Sequence, residues 1–274
     1  MKSKKRNEII TNIVLLLIII VVLFPFAWLL ISSFKFEKDI ITYPPSIFAD
    51  RYTLENYIKV WTTIPLMKYI INTVIFAGGV VVTSVFLDSL AGYAFARMHF
   101  KGKRFFFYFV LVTMMIPFQV FMIPLFLQMS ELNLIDSYVG LILPRMTSAF
   151  GIFLMRSFYI SLPRDLEESA RIDGLGEFGI FLKIMMPLSK PAMLTLSIQT
   201  LMSNWNDLLY PLLLTTTSDK RTLPSGLALF TGQNISFYGP VMAGAVISMI
   251  PLLVVYIFAQ KYFVQGVAMS GMKE

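Results

Sequence analysis

Six long apolar stretches, separated by short polar segments, dominate the sequence. The first, Ile13 to Ile31, has 19 consecutive residues without a charged side chain. As a helix it is about 28 Å long, close to the roughly 30 Å of hydrocarbon in a bilayer. The other five stretches are Tyr69 to Ala96, Phe105 to Leu127, Tyr138 to Met155, Leu188 to Leu214 and Pro240 to Tyr262. The pattern predicts an all-α polytopic membrane protein with six transmembrane helices.

The composition agrees with this interpretation, because 57% of the residues are hydrophobic and only 14% are charged, against roughly 25% charged in soluble domains. The first stretch follows several basic residues, as in a signal peptide, but it is too long for one and has no small-residue cleavage motif, so we expect an uncleaved anchor. The chain has no cysteine, which excludes disulfides, thiolate metal sites and a cysteine nucleophile.

The 23 Lys and Arg residues predict the topology. If the amino terminus is cytoplasmic, fifteen of them lie in inside segments, seven lie in outside segments, and Arg145 lies within a span. This bias places both termini in the cytoplasm. The expected domains are an anchor helix with an extracellular segment (1–68), a transmembrane core (69–264) and a cytoplasmic tail (265–274). The basic residues form no single stripe, so nucleic acid is not an expected partner.

Five prolines lie within the predicted spans: Pro25, Pro117, Pro124, Pro144 and Pro251. Each removes a backbone donor and favours a kink. Such kinks suit a moving bundle, but they also serve as simple packing features, since proline is frequent in membrane helices.

The fifth span carries a cluster of polar and aromatic residues that are costly in hydrocarbon unless they face a cavity or a partner helix. The candidates for a substrate pathway are Asn204, Trp205, Asn206, Asp207 and Tyr210. Amides and carboxylates can hydrogen-bond hydroxyl groups, and Trp and Tyr offer aromatic faces with a polar edge. Such groups bind sugars, although bridging between helices is an equally ordinary use of them.

Asp88 and Arg145 are the other charges predicted within the membrane. Each either pairs with an opposite charge or marks the transport path, and we expect pairing. Gly78 and Gly79 are expected to serve helix packing. His99 has no histidine or cysteine companion, so a metal site is not expected.

The segment from Ser161 to Gly174 is punctuated as a short helix outside the membrane. Asp165 is expected to cap the helix, with Glu168 reaching back as in a capping box, and Gly174 to end it. A second short helix is expected from Glu177 to Met185, stopped by Pro187. The apolar side of the first helix, which includes Ile172, should dock either on a partner protein or on lipid headgroups.

Six positions of this loop resemble the conserved loop of ABC importer permeases, which reads Glu-Ala-Ala, three residues, Gly, nine residues, Ile-x-Leu-Pro. The positions are Glu168, Ser169, Ala170, Gly174, Ile184 and Pro187, with Ser169 in place of alanine and Met186 in place of leucine. The resemblance implies a type I ABC importer permease fold whose cytoplasmic coupling helix sits in a cleft of an ATPase. The implied coupling residues are Glu168, Ser169, Ala170, Arg171, Asp173 and Gly174, with Ala170 and Gly174 allowing a close fit.

Three further stretches are similar to the smaller permease of maltose-type carbohydrate importers: Ala91 to Arg97, Ser203 to Leu214 and Gln260 to Gly266. The resemblance implies a heterodimer with a second permease, an ATPase dimer and an extracellular solute-binding protein. The chain lacks a phosphate-binding loop, since Gly102-Lys103-Arg104 has neither the upstream glycine nor the hydroxyl residue. It is therefore expected to be a transport subunit without a cofactor, while the ATPase binds ATP and magnesium.

Two alternatives stay open. Related permeases also carry glycerol phosphates or polyols, although a phosphate would require basic residues in the cavity, where only Arg145 is a candidate. An ion-coupled secondary transporter would usually show two related halves with broken helices. The sequence shows no such internal repeat.

Overall fold

The computed structural model describes the backbone of residues 2–231 and 237–271, and the side chains of 7–231, 237–258 and 260. Within these residues the regular structure is helical, apart from an isolated bridge between Lys35 and Tyr52. The helices are α1 (Lys2–Ser33), α2 (Glu37–Ile40), α3 (Glu55–Thr63), α4 (Leu66–Arg97), α5 (Lys103–Thr113), α6 (Phe118–Glu131), α7 (Tyr138–Ile142), α8 (Ala149–Ser161), α9 (Asp165–Ile172), α10 (Glu177–Ile180), α11 (Met186–Leu188), α12 (Lys190–Trp205), α13 (Leu209–Leu214), α14 (Leu223–Leu227) and α15 (Tyr238–Gly271).

In the described part of the chain, three continuous helices and three bent pairs are long and apolar enough to give up to six spans. The continuous ones are α1 from Asn7, α4, and α15 up to Phe258. The pairs bend by 97° between α5 and α6, by 47° between the segment Tyr138–Arg145 and α8, and by 78° between the segment Glu177–Leu188 and α12. The all-α class is confirmed. The prediction of an uninterrupted fifth span from Leu188 to Leu214 is wrong, because α12 ends at Trp205 and α13 is a separate helix.

The five prolines of the predicted spans occupy two kinds of position in the structure. Pro117 is the N-cap of α6, and Pro144 lies in a 3₁₀ turn, Leu143–Arg145, that leads into the bend before α8. Pro25, Pro124 and Pro251 lie inside continuous helices. A proline at a helix start removes a donor that has no partner there, so helices begin readily at such positions.

The chain forms two compact units. The first contains Met1–Leu66 and Leu227–Pro251. Within it, the amide of Asn56 donates hydrogen bonds to the carbonyl oxygens of Ser33 (2.9 Å) and Lys35 (2.7 Å). These bonds satisfy backbone groups left open where α1 ends.

The second unit contains Met67–Gly226 and Leu252–Glu274. One of its apolar clusters surrounds Tyr93, Tyr159 and Phe181 and includes Ala170 of α9. Another surrounds Phe76, Leu141 and Tyr210. The boundaries predicted at 68 and 264 follow topology rather than these contacts and stay a prediction. Residues 272–274 of the predicted tail lie outside the described residues.

Candidate functional site

The start of α9 differs from the prediction. The N-cap is Arg164, whose backbone is already helical (φ −74°, ψ −26°), and no side chain caps this end. The predicted capping box of Asp165 and Glu168 is therefore wrong, because the helix begins one residue early and Asp165 falls inside its first turn. The acidic residues of that turn still stabilise the helix, since carboxylates are favoured at a helix amino terminus.

The end of α9 is as predicted. Gly174 has φ +82°, in the left-handed region. Its backbone N–H donates to the carbonyl of Arg171 (3.0 Å), and the N–H of Leu175 donates to the carbonyl of Ala170 (3.0 Å). These two bonds form a Schellman motif. A Cβ atom added at Gly174 would meet nothing within 4 Å, so the backbone conformation and not crowding within the chain requires glycine here.

The second loop helix is longer than predicted. It runs from Glu177 to Leu188 through a π turn at Phe181–Met185, in which the N–H of Met186 donates to the carbonyl of Phe181. The prediction that Pro187 stops this helix is wrong. A π turn shifts the hydrogen bonds from the fourth to the fifth residue, which leaves room for a residue without a donor.

The two faces of α9 have different environments. Ala170 is 3% exposed and packs in the cluster around Tyr93, Tyr159 and Phe181. The expectation that the small Ala170 side chain admits a partner is wrong, because neighbours within the chain already cover it. The other face carries Glu168, Ser169, Arg171, Ile172, Asp173 and Gly174, all exposed. Ile172 is 86% exposed, so its apolar side chain is available for contact with another molecule.

A buried ion pair fixes the covered face of α9. Arg97 at the end of α4 places its Nε 2.9 Å from Oε1 of Glu167, and both side chains are 4% exposed. The Nε–H is not aimed at that oxygen, so the contact is electrostatic. The terminal nitrogen of Arg97 also donates to the carbonyl oxygens of Tyr159 and Leu162, each at 2.5 Å. Removing one partner of a buried pair typically costs about 3–5 kcal/mol.

The ion pair extends into a network along the loop. Arg171 lies 3.6 Å from the second oxygen of Glu167, and its Nε donates to Glu177 at 2.9 Å. Tyr93 donates its hydroxyl to the other oxygen of Glu177 at 2.9 Å. The hydrogen bond to Glu177 raises the pKa of Arg171 above its ordinary value. The network connects both loop helices to α4, so that displacement of α9 is transmitted to a membrane span.

The polar residues of the fifth span converge on Arg145. Its guanidinium lies 2.5 Å from the Asp207 carboxylate and donates to the Asn204 side-chain oxygen at 2.9 Å. It also lies 4.1 Å from the centre of the Tyr210 ring. Asp207 in turn accepts from the backbone N–H of Tyr210 at 3.1 Å. The expected pairing of Arg145 is confirmed.

The two aromatic candidates are occupied within the chain. The Tyr210 hydroxyl donates to the carbonyl oxygens of Gly140 (3.1 Å) and Leu141 (3.0 Å), and its ring stacks on Phe76 at 5.9 Å. Trp205 is buried. Asn206 is exposed and donates to the carbonyl of Met202 at 3.0 Å. In this conformation neither Tyr210 nor Trp205 offers a free aromatic face to a sugar.

Two cavities meet at Arg145. The larger, of about 680 Å³, is lined by Gln128, Glu131 and Tyr210 among mostly apolar residues. The smaller, of about 380 Å³, is lined by hydroxyl and amide side chains that include Gln199, Thr200 and Ser203. Arg145, Phe118 and Pro144 line both. Arg145, the partner of Asp207, therefore lies between the two cavities.

Asp88 does not pair with a cation among the described residues, and the prediction that it does is wrong. Its carboxylate accepts from the hydroxyls of Ser84 (2.7 Å), Thr147 (2.6 Å) and Ser148 (2.9 Å), and from the backbone N–H of Ser148 (2.9 Å). These bonds hold the bend before α8. Gly151 is required beside it, because a Cβ atom there would lie 2.0 Å from the carboxylate.

Residues 88–269 match the model of the family described as binding-protein-dependent transport system inner membrane component. The chain belongs to this family. It is a permease, a membrane subunit of an ABC importer, and its role is transport.

Named relatives and a solved structure cover almost all of the permease. The chain is 36% identical to the arabinooligosaccharides transport system permease protein AraQ of Halalkalibacterium halodurans, over 92% of this chain and 91% of the relative. It is 35% identical to the trehalose/maltose transport system permease protein MalG of Thermococcus litoralis, over 92% and 91%. It is 29% identical to the sn-glycerol-3-phosphate transport system permease protein UgpE of Yersinia pestis, over 98% and 99%. A chain from the crystal structure of a bacterial alginate importer, an ABC transporter, matches with a TM-score of 0.79 and 26% identity, over 96% and 98% of the two chains.

Sequence reasoning missed the pair of Arg97 and Glu167 in this permease. In the sequence, Arg97 belongs only to a stretch similar to the maltose-type permeases, and the loop pattern points to Glu168 rather than to Glu167. The spacing of Glu167 and Arg171, four residues apart on one helix, was the available signal. The side chains of the similar stretch Gln260 to Gly266, apart from Gln260, lie outside the described residues.

Proposed function

We propose that the permease imports a carbohydrate and is driven through α9 by a separate ATPase that binds ATP and magnesium. The observation that carries the coupling role is the two-faced structure of α9. One face is fixed to α4 by Glu167 and Ala170, and the other presents the exposed residues Ile172 and Gly174. A separate subunit that covers Ile172 would bury apolar surface while it pushes on a helix joined to a span.

Substitution of Ile172 tests the coupling role. Ile172→Asp places a charge in the proposed contact, and we expect the ATPase subunit to be lost from the purified complex and ATP-driven uptake with it. Leu54→Asp is the matched control, because Leu54 is also a highly exposed apolar residue, 62% exposed, but lies in the segment predicted to be extracellular. Normal ATPase retention in Ile172→Asp would contradict the proposal.

The carbohydrate assignment rests on the side chains that line the smaller cavity. Its hydroxyl and amide groups on Gln199, Thr200 and Ser203 can donate to and accept from sugar hydroxyls. Arg145, the cation at this site, is neutralised by Asp207, which disfavours a phosphate group. The relatives that are named for arabinooligosaccharides and for trehalose and maltose support this choice, whereas the relative named for glycerol 3-phosphate provides the second candidate.

Uptake by the reconstituted complex separates the candidate substrates. We expect a neutral oligosaccharide, presented with the solute-binding protein, to be taken up with ATP, and sn-glycerol 3-phosphate to be excluded. Uptake of the phosphate alone would overturn the carbohydrate assignment. Transport by the purified chain under an ion gradient without ATP would overturn the coupling proposal itself.

The proposed assembly contains a second related permease, two ATPase subunits and an extracellular binding protein, with both termini of this chain in the cytoplasm. The charge bias of the loops supports this orientation. Because the chain has no cysteine, single cysteines can be labelled without background. Asp173→Cys should react only with a reagent that reaches the cytoplasm, and Lys59→Cys with an impermeant reagent added outside.

A further inference from the structure

Three basic side chains surround a pocket between α5 and α8 that the transport function does not use. Lys103 and Arg104 lie in the first turn of α5, and Arg156 comes from α8. Together with Phe107 and Tyr108 they line a cavity of about 360 Å³. The cations come from two separate helices, so the pocket is a feature of the tertiary fold.

The three cations have no acidic partner among the described residues. Among the described side chains, none of them lies within ion-pair distance of a carboxylate. Lys103 donates to the carbonyl oxygens of Ala96 (3.2 Å) and Met98 (2.9 Å). Arg156 donates through Nε to the carbonyl of Phe95 at 3.2 Å. Carbonyl oxygens orient these groups without neutralising them, so the positive charge of the pocket remains.

Aromatic rings hold the two guanidinium groups in place. Arg156 lies 4.0 Å from the centre of the Phe107 ring, and Arg104 lies 5.6 Å from that of Tyr108. Such contacts restrict the side chains before any ligand arrives, and planar guanidinium groups are well suited to phosphate oxygens.

The surroundings of the pocket indicate where an anion would come from. On α5, Phe105, Phe106 and Phe109 are all more than half exposed, which is expected of a surface in contact with lipid. The basic residues lie at the end of α5 that is predicted to be cytoplasmic, where lipid headgroups are expected. Basic pockets in this position recognise anionic headgroups.

We propose that Lys103, Arg104 and Arg156 form a binding site for the phosphate of an anionic phospholipid headgroup. The lipid tails lie along the exposed phenylalanines of α5, and the headgroup phosphate occupies the pocket. The site binds a structural lipid at the junction of α5 and α8 and does not depend on which substrate the permease carries.

Native mass spectrometry of the complete transporter, purified from membranes that contain phosphatidylglycerol, tests this site. The wild-type complex should retain bound phosphatidylglycerol. In the double variant Arg104→Gln/Arg156→Gln, the amount of bound phosphatidylglycerol should fall about tenfold or more. The control double variant Lys101→Gln/Lys190→Gln removes the same charge from exposed positions outside the pocket and should retain the lipid. Arg104→Gln alone, at an exposed side chain, should show an intermediate loss without disturbing the fold.

A second arm distinguishes a lipid headgroup from free phosphate. Millimolar inorganic phosphate should leave phosphatidylglycerol bound, because the lipid is also held by its tails. Displacement of the lipid by inorganic phosphate would assign the pocket to a free anion and overturn the proposal. Equal lipid retention by the two double variants would also overturn it.

Discussion

The coupling helix α9 and the polar cluster around Arg145 both join charged side chains to a membrane span, but they leave different groups available. On α9 the buried pair of Arg97 and Glu167 occupies one face, and a continuous exposed face remains. Around Arg145 the candidate side chains bind one another: Asp207 and Asn204 hold the guanidinium, and Tyr210 lies against it. The first region is ready for a partner in this conformation, whereas the second is closed on itself.

We expect α9 and the cluster around Arg145 to act one after the other. A partner can bind α9 without breaking any contact within the chain. A substrate that uses Asn204 or Asp207 must first displace Arg145, which also lines both cavities. Movement transmitted from α9 is therefore expected to precede exposure of the polar groups.

The largest difference in stability is expected between variants of two adjacent residues of α9. Glu167→Ala leaves the Arg97 guanidinium buried without its carboxylate, and we expect a loss of about 3–5 kcal/mol in stability. Glu168→Ala, at an exposed side chain, should change stability by less than about 0.5 kcal/mol. Thermal unfolding of the purified complexes checks the difference, and equal melting temperatures would show that the pair does not fix α9.

A smaller effect is expected in the polar cluster. Asp207→Ala removes the partner of Arg145. The Arg145 side chain is 24% exposed and that of Asp207 is 16% exposed. Because water reaches both, we expect a loss of about 1–3 kcal/mol in stability. Asn206→Ala is the control, because Asn206 is exposed and its side chain donates to the carbonyl of Met202 in the adjacent helix α12. Matching stability of the two variants would mean that Arg145 finds another partner.

The smallest difference in stability is expected between variants of two glycines in the loop. Gly174→Ala should destabilise by about 1–2 kcal/mol, because alanine is strained at φ +82°. Gly176→Ala should be neutral or stabilising by about 0.4–1 kcal/mol, since Gly176 has φ −75° and open space around it. The melting temperatures of the two variants give the result, and a loss at Gly176 equal to that at Gly174 would contradict the assigned role of the left-handed turn.

The same residues show what the sequence can predict. The spans were predictable because apolar length is a local property, and the end of α9 was predictable because glycine is the residue that best tolerates a left-handed conformation. The start of α9 was not, because it depends on the backbone conformation of Arg164 rather than on the capping potential of Asp165.

Tertiary contacts explain two other differences between the sequence predictions and the structure. Glu167 rather than Glu168 is buried because the Arg97 side chain of α4 lies beside it. The carboxylate of Asp88 accepts hydrogen bonds from hydroxyl groups at the bend before α8, which is distant in sequence. The break after Trp205 was hidden by the apolar residues that follow it. For Glu167 and Asp88, a long-range partner decided the outcome.

Photocrosslinking from position 172 is the most direct test of the central claim that the exposed face of α9 binds a separate ATPase. A photoreactive residue replaces Ile172 in the intact complex, and one at Leu54 serves as the control. We expect a crosslink from position 172 to the ATPase subunit and none from position 54. A crosslink from position 172 only to lipid, or to the extracellular binding protein, would contradict it.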